Sequence, residues 1–188
     1  MLYKTLPTLC VGLFVTAFAC AALAATPTSV VIDVHLISEK GIGKSIGTIK
    51  ASETKNSFLL LTFDLSDELP PGGHGMHIHE NASCAPAQKN NEMVAGLAAG
   101  GHFDPLKAGK HEGPSGKGHL GDLPILYVEV DEDGAKEVTH SLVAPRLRLA
   151  DILGRSLIIH AGSDNFSDEP APLGGGGARI ACGIIPAE

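Results

Sequence analysis

The chain has no tryptophan, and aromatic residues make up only 4% of its 188 positions. A core built from it must rest on Val, Ile, Leu and Ala rather than on large rings. Basic residues are also scarce, 14 Lys and Arg against 21 Asp and Glu. That balance lacks the positive face that phosphate binding demands, so nucleic acid is excluded as a partner. Two catalytic signatures are missing as well. No GK[ST] follows the glycine run Gly174–Gly177, which is therefore not a phosphate loop, and Ser115 stands where an HExxH motif begun at His111 requires its second histidine.

The one long apolar run lies at the N-terminus. Lys4 supplies a positive start, Leu9 to Leu23 carries no charge, and Ala22-Leu23-Ala24 offers a small-residue cleavage site. Residues 1–25 thus read as a secretory signal peptide, with a single mature domain over 26–188 and no membrane association once the leader is cut. Phe18 suits a lipidation box at Cys20 badly, which leaves plain export as the reading. Removing the leader takes Lys4 with it, leaving 13 basic against 21 acidic residues, a net of −8. An anionic substrate would then have to be drawn by local positive charge. Only Cys84 and Cys182 remain, and a pair of cysteines in an exported chain reads as a disulfide. Closing a loop of that length stabilises by about 4–5 kcal/mol in the chain-entropy treatment.

With 23 glycines and 12 prolines, the rest favours short strands and many turns. Residues 29–38 alternate apolar and polar, with Asp33 and His35 on the outer phase; 46–50 form a partner strand beyond a Gly41–Gly43 turn. Residues 57–65 make the most apolar strand, closed by Leu69-Pro70-Pro71-Gly72-Gly73. A strand then carries His77 and His79. After a long aperiodic region over 84–123, strands are predicted at 124–130, 138–145, 157–160 and 179–185, with a helical turn at 149–153 and a second long loop over 161–178. Loops of that length are commonly functional. The architecture expected is all-β, an eight-stranded antiparallel Greek-key barrel or sandwich with two long functional loops.

Six of the nine histidines fall between His74 and Asp122. His77 and His79 are separated by one residue, so on a strand both imidazoles project from one face. Two imidazoles side by side on a stiff element suit Cu(II). His102, His111 and His119 follow in Gly- and Pro-rich sequence, with Asp122 three residues after the last. Three imidazoles and a carboxylate make a closed tetrahedral set for Zn(II). The residues themselves suggest two metals.

HIHENASC, GGHFDP, KHEGPSGKGHLGDLP, HAGSDN and GGGGARIACG, in that order over roughly residues 29–186, together resemble the bacterial periplasmic class of copper/zinc superoxide dismutases. The resemblance implies one copper and one zinc ion per subunit and the disproportionation of superoxide to dioxygen and hydrogen peroxide in the periplasm. It implies copper on His77, His79, His102 and His160, and zinc on His102, His111, His119 and Asp122. His102 would then bridge the ions and deliver a proton; two cations on one ring make its deprotonation reasonable. Asp164 would link a copper-ligand ring to a zinc-ligand ring, and Arg179 would stand at the mouth of the copper site to orient the anion. The disulfide would tether the loop beside the metals. Arg179, with lysines such as Lys89 and Lys107, would then matter most at low ionic strength.

The resemblance covers both monomers and dimers, so a homodimer stays open. A rival reading is a non-catalytic periplasmic copper-binding or buffering protein on the same fold. It predicts the loss of the zinc set, of Asp164 or of Arg179, and all are present. Of the remaining histidines, His35 and His140 read as strand-surface residues. His74 alternates to the strand face opposite His77 and reads as structural or accessory.

Overall fold

The computed structural model describes residues 28–187; the leader lies outside the described residues. Among the described residues there are twelve strands: β1 (Ser29–Ser38), β2 (Gly41–Glu53), β3 (Leu59–Leu65), β4 (Gly72–His74), β5 (Met76–His79), β6 (Ala87–Lys89), β7 (Glu92–Val94), β8 (Leu126–Val130), β9 (Lys136–Val138), β10 (Ser141–Ala144), β11 (Ser156–His160) and β12 (Arg179–Ile184). A short helix, α1 (Leu149–Ile152), precedes β11. Seven strands form one antiparallel sheet in the order β10-β3-β2-β1-β12-β11-β5, and three form a second in the order β4-β8-β9. β4 runs into β5 across Gly75, and β9 into β10 across Thr139 and His140, so each of these runs passes from the smaller sheet to an edge of the larger. Counted as continuous runs they leave the eight strands expected. The ninth feature is the β6–β7 hairpin, closed by Asn90 and Asn91, both at positive φ. Its three-residue strands are too short to show a period, and two adjacent asparagines are the turn residues that such a hairpin favours.

Alternation fills the interior. Val30, Ile32 and Val34 of β1, Ile49 and Ala51 of β2, and Leu59, Leu61 and Phe63 of β3 are buried on one face, and a bulge at Ile46, where the β1–β2 register shifts, turns that residue into the same core. Each fully buried Leu or Ile contributes about 1.5–3 kcal/mol relative to exposure. β5 and β11 break the pattern, because every residue in each is buried. Met76, Ile78, Leu157 and Ile159 join the main core. The opposite face of these strands carries His77, His79, His160 and Ile158, and it is covered by the long loops rather than left to water. Ile158 packs there with Ile37, Ala99 and the Cys84–Cys182 disulfide, whose Cα atoms are 5.7 Å apart. The bridge thus anchors the loop after β5 to β12.

The free edge of β5 is covered by two loop segments. Phe103 N–H donates to the Ile78 carbonyl (2.8 Å), and Ile78 N–H donates to Gly121 (2.9 Å). Gly121 has to be glycine, because a Cβ there would overlap the Ile78 carbonyl oxygen. This close approach sets His79 opposite His102 and His77 opposite Asp122 as backbone partners.

Candidate metal centre

His77 and His79 leave β5 on the loop-covered face, and His160 ends β11, antiparallel and next to it. The two edge segments bring in His102 and Asp122, and the loop between them adds His111 and His119. All seven side chains meet on one side of the barrel wall. Donor atoms of His77, His79, His102 and His160 lie within 4.8 Å of one another, as do those of His77, His102, His111 and Asp122. The rings of His77 and His102 are stacked, with centroids 3.8 Å apart, where the two groups meet.

Most of these rings are held at one nitrogen by an acceptor. His77 Nε2 donates to Asp164 Oδ2 (2.9 Å), His79 Nδ1 to the Gly100 carbonyl (3.0 Å), and His160 Nδ1 to the Gly177 carbonyl (3.0 Å). His111 Nε2 donates to Asp164 Oδ1 (2.8 Å). Since carboxylate and carbonyl oxygens only accept, each of these contacts fixes the proton there and leaves a lone pair on the other nitrogen of the neutral ring. Those other nitrogens are His77 Nδ1, His79 Nε2, His111 Nδ1 and His160 Nε2; with His119 Nδ1, five ring nitrogens among the described residues are buried without a well-aligned hydrogen bond, although His111 Nδ1 stands 3.1 Å from the Asp122 carboxylate. An unsatisfied buried polar atom costs on the order of 1–3 kcal/mol. Five of them converging make a donor set that fits cations.

The second group also fits in its spacing. Nδ1 of His102, His111 and His119 stand 3.0, 3.1 and 3.5 Å from Asp122 Oδ1. Ligands about 2.0 Å from a tetrahedral Zn(II) stand ~3.3 Å from one another. By mutual donor distance, His77 rather than His119 completes the second quartet. The chemistry favours His119, because His77 has a single free nitrogen and it is already counted in the first group.

Electrostatics separate the two groups. Burial pushes the His77 imidazole down to about 3, and the neighbouring His102 and His160 add to it against the Asp164 hydrogen bond. Burial also lowers His160 to about 4, and holds His79 well below the usual imidazole range with the Arg179 charge assisting. His111 behaves oppositely. Burial would lower it, but the carboxylates of Asp122 and Asp164 on its two nitrogens outweigh that and raise it to about 9. Burial likewise opposes ionisation of Asp122 and Asp164, yet hydrogen bonds from the histidines hold both well below the ordinary carboxylate range. In the metal-free protein a proton on His111 Nδ1 sits where a cation would.

Arg179 opens β12 as the backbone partner of His160 at a bulge. Its guanidinium is half-buried and donates to Gly96 O (2.6 Å) and Gly100 O (2.8 Å). The Gly100 carbonyl also accepts from His79, so one oxygen ties the arginine to that ring. Lys89 and Lys107 are exposed. His35 is half-buried and His140 exposed, both apart from the cluster. His74 is buried, and its ring bridges the carbonyls of His160 (2.7 Å) and Pro70 (2.8 Å), an internal brace. Asp168, which sequence reasoning missed, accepts from the His111 and Leu173 amides and joins the two long loops. Nothing in its local sequence marks it out.

Comparison with known proteins agrees with this geometry. A family model described as copper/zinc superoxide dismutase (SODC) matches residues 45–185. The chain is 51% identical over 172 residues to superoxide dismutase [Cu-Zn] 2 of Salmonella typhimurium, covering 91% of this chain and 95% of that one. It is 48% identical over 165 residues to the Cu-Zn enzyme of Escherichia coli K12, covering 87% and 92%. The solved Cu/Zn superoxide dismutase from Brucella abortus superposes with a TM-score of 0.77 at 48% identity, over 84% of this chain and 99% of that one. The monomeric enzyme from Salmonella enterica gives 0.69 at 47%, with the same coverage. This chain belongs to the copper/zinc superoxide dismutase family.

Proposed function

We propose that copper is held by His77, His79, His102 and His160 and zinc by His102, His111, His119 and Asp122, in an exported enzyme that disproportionates superoxide. The observation that carries the assignment is the set of five buried, unpartnered ring nitrogens, four of them with the tautomer set by an acceptor behind the ring. When bound, copper would relay one electron from one superoxide ion to the next, and zinc would supply a fixed charge in the loop.

The protein side has three tasks. Arg179 attracts and orients the anion: of the five N–H donors of a guanidinium, two are used on carbonyls, which leaves three for a small anion. Asp164 holds His77 and His111 together, and the Gly100 and Gly177 carbonyls aim His79 and His160. His102 is the proton carrier: its Nδ1 lies beside Asp122, and its Nε2, the nitrogen left for the copper group, would take up a proton on release from that group and deliver it to the reduced product. Every proposed ligand comes from one polypeptide, so a homodimer is not needed to build the site. Residues 1–25 act as the export leader and deliver the protein to the periplasm, which N-terminal sequencing of the secreted form would test.

The ligand assignment is tested by single replacements. His79→Ala loses copper, keeps zinc and abolishes superoxide decay; His119→Ala loses zinc while copper still binds. If His79→Ala retained copper at full stoichiometry, the assignment would be wrong.

A further inference from the structure

His119 differs from the other rings of the centre. His77, His79, His102, His111 and His160 each have one nitrogen hydrogen-bonded to a carboxylate or carbonyl. Among the described residues His119 has no hydrogen bond on its buried Nδ1, and its side chain is 12% exposed. Its placement therefore depends on its main chain, and the main chain is gripped by a residue outside both long loops. Arg146 lies between β10 and α1. Its Nη2 donates to Gly118 O (2.7 Å), and its Nη1 to His119 O (3.1 Å) and Gly113 O (3.4 Å).

The three acceptors lie at the two ends of one short segment, 113–119, so a single guanidinium closes it from outside. The inner side is closed by the chain itself, His119 N–H donating to Lys110 O (2.9 Å). Gly118 admits this only without a side chain, because a Cβ would overlap the Lys110 carbonyl oxygen. Arg146 is in turn fixed from below. Leu147 and Leu149, which follow it in the chain, are buried in the main core, and the Leu147 carbonyl accepts from Leu59 N–H of β3. Among the described residues Arg146 has no carboxylate partner, so its charge is spent on these carbonyls. A planar fork with several donors suits that task; lysine's single ammonium does not.

We propose that Arg146 is a positioning residue for the zinc site, replacing at the main chain the hydrogen bond that the His119 ring lacks. The inference rests on His119 being a zinc ligand. Partners that orient metal ligands typically contribute 10–100-fold in affinity, so Arg146→Gln should release zinc to a chelator roughly tenfold faster than the parent protein. Arg146→Lys, which keeps the charge but loses the planar fork, should fall between them. Cobalt(II) placed at the zinc site reads the geometry directly: its visible ligand-field bands should weaken and shift in Arg146→Gln and partly return in Arg146→Lys. The electron paramagnetic spectrum of copper should not change in either. His119→Ala serves as the control on the ligand reading. If it releases zinc no faster than the parent, the zinc assignment is wrong. If it does release zinc faster, while both Arg146 variants match the parent in release and cobalt spectrum, the positioning role is wrong. Faster release with an unaltered cobalt spectrum, tracking a lower melting temperature of the metal-free protein, would also overturn it by making Arg146 a general stabiliser. Should Arg146→Gln fail to fold, Arg146→Lys carries the same test.

Discussion

Replacing Asp164 by asparagine probes the joint between the two metal sites with almost no change of shape. Asp164 is buried and accepts from His77 Nε2 at 2.9 Å and His111 Nε2 at 2.8 Å, and the Phe166 amide donates to it at 2.7 Å. An amide keeps one acceptor oxygen and turns the other position into a donor. One of the two rings then faces N–H against N–H, and must either lose its hydrogen bond or move its proton to the nitrogen that should bind metal. The two rings are not equally exposed to that choice. His77 stands on β5, fixed by the sheet on one side and the edge segments on the other. His111 is in a loop, and among the described residues its ring is held only by Asp164 and Asp122. The larger loss is therefore expected at zinc. The scale for such partners is 10–100-fold in affinity, or about 1.4–2.8 kcal/mol. Competition with a chromophoric chelator at neutral pH should show zinc weakened by at least tenfold and copper by less. Equal affinities of parent and Asp164→Asn for zinc would refute the reasoning.

Other perturbations follow from the same geometry. In the metal-free protein the depressed imidazoles of His77 (about 3) and His160 (about 4) favour the folded state while neutral; their contribution is present above the ordinary value near 6.5 and is lost as pH falls toward 4. His111, raised to about 9, contributes in the opposite sense, fully below about 6.5 and lost as pH climbs through 9. Chemical denaturation across pH 4–10 should show both flanks. Because its two carboxylate neighbours raise His111 to about 9, zinc uptake at pH 7 should release a proton, and zinc affinity should rise with pH up to about 9, which titration calorimetry in buffers of different ionisation enthalpy would read. Arg179→Ala should slow superoxide decay at least tenfold at low salt and flatten its salt dependence, with copper content unchanged, as expected of local steering; a parent-like salt profile would contradict this. Replacing both Cys84 and Cys182 by serine opens a loop of sequence separation 98, and should cost about 4–5 kcal/mol of stability in urea unfolding.

The parts of the centre legible in the sequence are those with a short period. His77 and His79 fall on one strand face by alternation alone, and Met76 and Ile78 point to the core for the same reason. The strands 29–38 and 57–65 were readable from their alternation and apolar content. What lay beyond reach is carried by contacts between distant stretches of irregular chain. The Gly100 and Gly177 carbonyls that aim His79 and His160 belong to loops without periodicity, and a backbone oxygen leaves no mark on residue type. Asp168 and Arg146 look like ordinary surface charges until the loops are folded. His111 and His119 had no local geometry; residue type and spacing grouped them with Asp122, and the threading of Gly121 beside Ile78 is what brings that carboxylate to His102. The divided strands at Gly75 and at Thr139–His140 were equally hidden, since a strand that changes sheets keeps its alternation.

The most direct test of the account is superoxide decay followed after rapid generation, with the mature protein copper-loaded or copper-free and zinc present in both. Fast decay that requires copper and slows as salt rises is the predicted result. Stoichiometric copper without accelerated decay would contradict it and leave a copper-binding protein on a dismutase fold.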